Sequence, residues 1–140
     1  MGTATAGHTL LHGDLTNEII GSFFEVYNEL GYGFIESVYQ RALPLALKDR
    51  GISSEREVAL TVHYRGRPVG DYRADLVVEG RVIVESKVAD RIIPVHELQL
   101  LNYLKGTGLT VGILLNFGPR ATFRRMILTS PKEGSVVIRS

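Results

Sequence analysis

Two carboxylates and a lysine stand close together near the middle of the sequence: Asp75, then Glu85-Ser86-Lys87. Glu85 and Lys87 lie two apart in a segment of strand character, so both side chains leave one face and Ser86 leaves the other. The preceding run, Val82-Ile83-Val84, looks buried. An acid and a base at its end are costly unless they meet a partner or have a task. Asp75 falls opposite Glu85 if the loop between their strands is Glu79-Gly80-Arg81, and directly opposed residues share a face. Two carboxylates at one end of a hairpin repel each other. A hard divalent cation such as Mg²⁺ relieves that repulsion and takes oxygen ligands at about 2.0–2.1 Å. A lysine beside them can hold or activate a water, or stabilise charge developing on a phosphate. An Asp followed across a hairpin by acid–x–Lys is thus a minimal set for phosphodiester hydrolysis. The same pattern also occurs as a solvated strand face or a cross-strand ion pair.

Further polar residues gather in the flanking helices. At 100° per residue, His96, Gln99 and Tyr103 fall on one helical stripe, which can overlook the sheet end that holds Glu85. Leu98, Leu101 and Leu104 form a second stripe, expected to face the core. Glu36 and Tyr39 lie three apart on an earlier helix. There the structural alternative is an acid that complements the helix dipole. Arg73, Arg120, Arg124 and Arg125 are candidates for phosphate contacts, or solvated surface arginines.

These residues need a frame. Helices are expected over 16–30, with Thr16 as N-cap and Gly31 as stop, and over 35–50, closed by Gly51. Pro44 lies inside the second and predicts a kink or break. Strands are expected over 58–64, 69–78 and 81–88, an antiparallel meander. Pro94 opens a helix over 95–105. An apolar strand over 109–117 follows, as for a strand buried on both faces, and 123–128 is an edge strand. The fold class is α/β: a mixed sheet flanked by helices, in the order α-α-β-β-β-α-β(-β), in which the third strand, its following helix and the 109–117 strand make a right-handed βαβ crossover with those two strands parallel. The domain spans 15–129, between an N-terminal tail (1–14) and a C-terminal tail (130–140).

The chain has 140 residues, close to the size of one domain, and 44% hydrophobic residues, enough for a packed core. Cysteine is absent, which excludes disulfides, thiolate metal sites, iron–sulfur clusters and cysteine nucleophiles. No apolar run approaches the roughly 20 residues that span a bilayer, and the start lacks the pattern of a signal peptide. A cytoplasmic protein without a membrane partner is expected. The net charge of +1 neither points to nucleic acid nor excludes it.

Gly33-Phe34-Ile35-Glu36-Ser37-Val38-Tyr39 reads as a GxxExxY signature. It is followed in order by Tyr72-Arg73-Ala74-Asp75-Leu76, by Val84-Glu85-Ser86-Lys87, by the segment His96 to Leu104, and by Val111 to Gly118. On these motifs the chain resembles the GxxExxY proteins, a prokaryotic group of the PD-(D/E)XK nuclease superfamily, over about Leu15 to Leu128. The resemblance implies a restriction-endonuclease-like core and a nuclease using Mg²⁺ or Mn²⁺. Asp75, Glu85 and the backbone carbonyl of Ser86 would hold the metal, and Lys87 would be the catalytic lysine. Glu36 matches an acid that assists metal or water. Gln99 and Tyr103 match the Q-x-x-x-Y motif of the RecB-like branch, where such side chains support the site or touch nucleic acid; His96 and Arg73 join them as substrate-binding candidates. DNA is the expected substrate, cut with little sequence specificity, and a homodimer or a further protein partner is compatible with one site per chain. The rival reading is a non-enzymatic nucleic-acid-binding or assembly module on the same fold, and a third is a toxin or defence component that needs a partner.

Overall fold

The computed structural model describes residues 12–128. The tails expected over 1–14 and 130–140 fall, but for residues 12–14, outside the described residues. The elements are α1 (Gly13–Leu30), α2 (Glu36–Asp49), β1 (Ser54–Tyr64), β2 (Arg67–Val78), β3 (Val82–Lys87), α3 (Pro94–Thr107), β4 (Val111–Phe117) and β5 (Ala121–Ile127). Their order is the one the sequence predicts.

Leu15, Ile19, Phe23 and Val26 give α1 one buried stripe. Gly31, at φ 75°, closes it by donating its N–H to Tyr27. The start differs from expectation. Gly13 and Asp14 are helical rather than tail, and Thr16 is not the N-cap: its hydroxyl turns back to the Gly13 carbonyl, 3.0 Å away. In α2, Tyr39, Leu43 and Leu47 are buried at successive turns. Pro44 removes one backbone hydrogen bond but does not break the helix, because buried residues on both sides of it anchor the two halves to the same sheet face.

The five strands lie in chain order, β1-β2-β3-β4-β5. All neighbours are antiparallel except β3 and β4, the two strands joined through α3. The turn between β2 and β3 is the three-residue loop Glu79-Gly80-Arg81, with Glu79 and Gly80 both at positive φ. One face of the sheet packs on α1 and α2 through Leu76, Val78, Val82, Val84, Ile113 and Leu115. The other packs on α3 through Ala74, Val77, Ile83 and Leu114.

These two lists expose an irregularity. Strict alternation would put Ala74 on the face of Leu76 and Val78. Instead Ala74 packs with Val77 and Ile83 on the opposite face. The phase of β2 changes at Asp75. The residue beside it on β1, Glu57, has a left-handed φ of 50°, and the printed pairing passes from Arg56↔Leu76 to Val58↔Ala74. The strands twist at this point, and the ladder between β2 and β3 ends there, at Leu76 opposite Val84.

Candidate active site

Asp75 and Glu85 would be the next pair in that ladder, and they use side chains where a continued sheet would use backbone. Asp75 Oδ2 accepts the Ser86 N–H at 2.9 Å. Glu85 Oε2 accepts the Asp75 N–H at 3.3 Å. Glu85 Oε2 also accepts a hydrogen bond from the Tyr72 hydroxyl. The two carboxylates are thereby fixed at the point where β2 departs from β3.

Their electrostatics follow from that position. Glu85 is 8% exposed. Burial first, and the neighbouring Asp75 second, push its carboxyl up to about 7. The Tyr72 hydroxyl, the Asp75 N–H and Lys87 pull the other way without offsetting the rise. Lys87, half-buried at the end of β3, also faces Glu36 and His96. Glu36 lies at the start of α2 and reaches solvent, yet partial desolvation and then Asp75 raise its carboxyl above the usual range; Lys87 and the Val88 N–H oppose this. The structure therefore brings Asp75, Glu85, Lys87 and Glu36 to one place, contributed by β2, β3 and α2.

The α3 stripe divides. Tyr103 reaches the centre indirectly: its ring stacks on Tyr72 at an interplanar angle of 20°, and Glu85 and Asp75 add to the desolvation that raises its hydroxyl. His96 borders Lys87. Its Nδ1 accepts the Ile93 N–H at 3.2 Å, while burial and then Lys87 lower its proton affinity, so it is a neutral acceptor. Gln99 is exposed, and its side chain makes no hydrogen bond among the described residues. The apolar stripe is also offset from expectation. Leu100 and Leu104 are the fully buried leucines, Leu101 is half-buried and Leu98 is exposed. The physical reason is the sheet's demand: Leu100 fills the space left by Gly112 on β4, where a Cβ would crowd its side chain.

The arginines are elsewhere. Arg73 donates to the Glu57 carbonyl at 2.7 Å, fastening β2 to β1 at the irregular pair. Arg124 pairs with Glu97 at 2.8 Å. Arg125 is half-buried, and Arg120 is exposed at the end of the turn between β4 and β5.

Two residues at the site carried no expectation. Tyr72 is one. The other is Asn116 on β4, opposite Lys87 and fully buried. Its side chain accepts the Ala89 N–H and donates to the Ala89 carbonyl, each at 2.9 Å. Next to it, a Cβ on Gly118 would overlap the Ala89 carbonyl. Together they hold the chain as it leaves Lys87. The polar Asn116 within the otherwise apolar Val111–Phe117 run was the available signal.

The donors available at this centre are carboxylate and carbonyl oxygens, which suits a hard divalent cation. Among the described residues no cluster of three or more His, Cys, Asp or Glu side chains stands ready as a metal site. Any ion here would rest on Asp75, Glu85 and a backbone carbonyl, with Glu36 at the edge. No helix among the described residues is long and apolar enough to cross a membrane.

A family model for the PD-(D/E)XK nuclease superfamily matches residues 13–126. Among solved structures, the crystal structure of SSO0001 is similar, with a TM-score of 0.53 and 22% identity over 66% of this chain. The match covers 50% of that chain, so this sequence spans about half of it, and the likeness is one of fold. No curated protein matches the sequence.

Proposed function

The chain belongs to the PD-(D/E)XK nuclease superfamily, and from that premise we propose that it hydrolyses phosphodiester bonds in DNA with the help of Mg²⁺ or Mn²⁺. One observation carries the reading. Asp75 and Glu85 are fixed side by side where the β2–β3 ladder ends, with Lys87 on the next outward position of β3. The motif order shared with GxxExxY proteins supports it, and Tyr103, stacked on Tyr72, fits the RecB-like branch, while the exposed Gln99 adds no support from the structure.

Asp75, Glu85 and the Ser86 carbonyl would hold the metal. Bound there, it would supply Lewis-acid stabilisation of the scissile phosphate and make a water more acidic. The remaining steps belong to the chain. Lys87 orients the attacking water and stabilises negative charge on the phosphate oxygens. Glu36, whose proton affinity is raised, takes the proton released as the water oxygen bonds to phosphorus. The bond from phosphorus to the leaving oxygen breaks, that oxygen takes a proton from a solvent water, and Glu36 returns its own proton to solvent. His96, a neutral neighbour of Lys87, and Tyr103 line the approach.

Nothing in this set reads bases, so cleavage has little sequence specificity. One centre cuts one strand, and a double-strand break needs a homodimer or a second event. The test is incubation of the protein with linear, circular, single-stranded and branched DNA in Mg²⁺ or Mn²⁺, beside Glu85→Ala. Cleavage that requires metal and Glu85 is expected. Absence of cleavage of every substrate, or equal cleavage by Glu85→Ala, rejects the reading in favour of a binding or assembly module.

A further inference from the structure

The hairpin of β1 and β2 outruns the rest of the sheet. β2 pairs with β3 only over Leu76 to Val78, whereas its pairing with β1 continues to Arg67 opposite Tyr64. Because β2 and β3 are antiparallel, the extra length points the same way as the Glu85–Lys87 end of β3. The result is an arm rooted at Asp75. It is braced on one side, where Val58, Leu60 and Tyr72 pack with α3 and Gly106 lies against Val62.

Its tip is bare and positive. Tyr64 is 59% exposed, and His63, Arg65 and Arg67 are exposed as well. The Arg65 guanidinium sits 5.0 Å from the Tyr64 ring centre. No acidic residue occurs from Val58 to Gly70, and neither Arg65 nor Arg67 forms an ion pair among the described residues. A centre built on Asp75, Glu85 and Glu36 repels a polyanion; an exposed cationic tip on the same edge supplies the attraction that the centre lacks.

We propose that this arm grips the backbone of duplex DNA at a distance from the cleaved bond, an inference that rests on the nuclease reading. Arg65 and Arg67 bind phosphates, and the arm sets how much duplex must flank the cut. From Asp75 to Arg67 is eight residues, about 26 Å of strand. At 3.4 Å per base pair that is about 8 base pairs.

The experiment is a binding titration of labelled duplex DNA at several salt concentrations, in buffer free of Mg²⁺ and Mn²⁺. Wild type is compared with Arg65→Ala/Arg67→Ala and with Arg65→Lys/Arg67→Lys. The double alanine variant is expected to bind several-fold more weakly, with a salt slope smaller by about 2. Its melting temperature is expected to match wild type, and the lysine variant to keep the wild-type slope. In Mg²⁺, wild type should cut duplexes with fewer than about 8 flanking base pairs poorly, a length preference that the alanine variant loses. An unchanged slope in the alanine variant, or no duplex binding by wild type, overturns the arm. A lower slope with no cleavage by wild type of any DNA keeps the arm and removes the nuclease reading.

Discussion

From Val82 to Ser86 every side chain is buried, and β4 is buried from end to end. From Ala59 to Asp71 of the neighbouring hairpin no residue is buried. The centre of the sheet is regular, while the hairpin carries left-handed Glu57 and Arg65 and a register shift between Val62 and His63. The proposed centre lies on the seam between them. Glu85 and Lys87 come from the packed side, where close packing leaves the strand little room to shift. Asp75 comes from the residue at which the hairpin departs. The difference teaches that a buried strand can hold a charged pair in place, while the second carboxylate is presented where the ladder beside it is interrupted.

The contrast can be broken from either side. The largest effect is expected at Lys87. Lys87→Ala should slow single-turnover DNA cleavage by about 10²–10³ and change the salt slope of binding by at most about one. Weaker binding with an intact single-turnover rate would make Lys87 a phosphate anchor. Gly118→Ala attacks the packed side. Its Cβ collides with the Ala89 backbone, which Asn116 already holds from two directions. Urea unfolding should show a loss of about 1–3 kcal/mol, and no loss would mean that the Ala89 segment yields freely.

Glu85 tests the electrostatic cost of the seam. Its proton affinity is raised in the folded chain, so protonation stabilises the fold. That stability is complete below the unfolded value of 4.5 and is lost as pH rises through about 7. In metal-free buffer, wild type should lose on the order of 2 kcal/mol more than Glu85→Gln between those limits. Mn²⁺ at pH 7 should restore it by binding the ionised pair. Parallel pH profiles for the two proteins would show that Glu85 is not destabilised by its site. The smallest effect belongs to the hairpin's root. Tyr72→Phe keeps the stack on Tyr103 and removes the hydroxyl that orients Glu85. Calorimetry should find Mn²⁺ affinity lower by about tenfold, whereas unchanged affinity would show that β3 alone orients the carboxylate.

The same seam marks how far the sequence could be read. The order of elements, the three-residue loop after Val78 and the apolar run on β4 were legible, because periodicity and turn chemistry are local. Asp75 opposite Glu85 followed from loop length alone. Tyr72 did not: alternation places it on the other face from Asp75, and only the phase change beside Glu57 brings its hydroxyl to Glu85. A glutamate in left-handed backbone leaves no mark in composition. Leu98 was misplaced for a related reason. Helical spacing offers several stripes on a leucine-rich helix, and the choice among them belongs to the partner surface, here the notch at Gly112. Asn116 was visible as a polar residue in an apolar run, but its partner, 27 residues away, was not.

The two hydrogen bonds between Asn116 and Ala89 fasten the start of the stretch between β3 and α3, and the Ile93 N–H held by His96 fastens its end. Residues 90–92 lie between these fixed points, and Asp90 and Arg91 are exposed. This gives the chain a natural place for a graft. Extra residues inserted after Asp90 would leave Lys87 where it stands, because Ala89 absorbs the change. The same insertion between Lys87 and Ala89 would have to pull against the sheet. A loop added at the permissive position would stand close to Lys87 without displacing it.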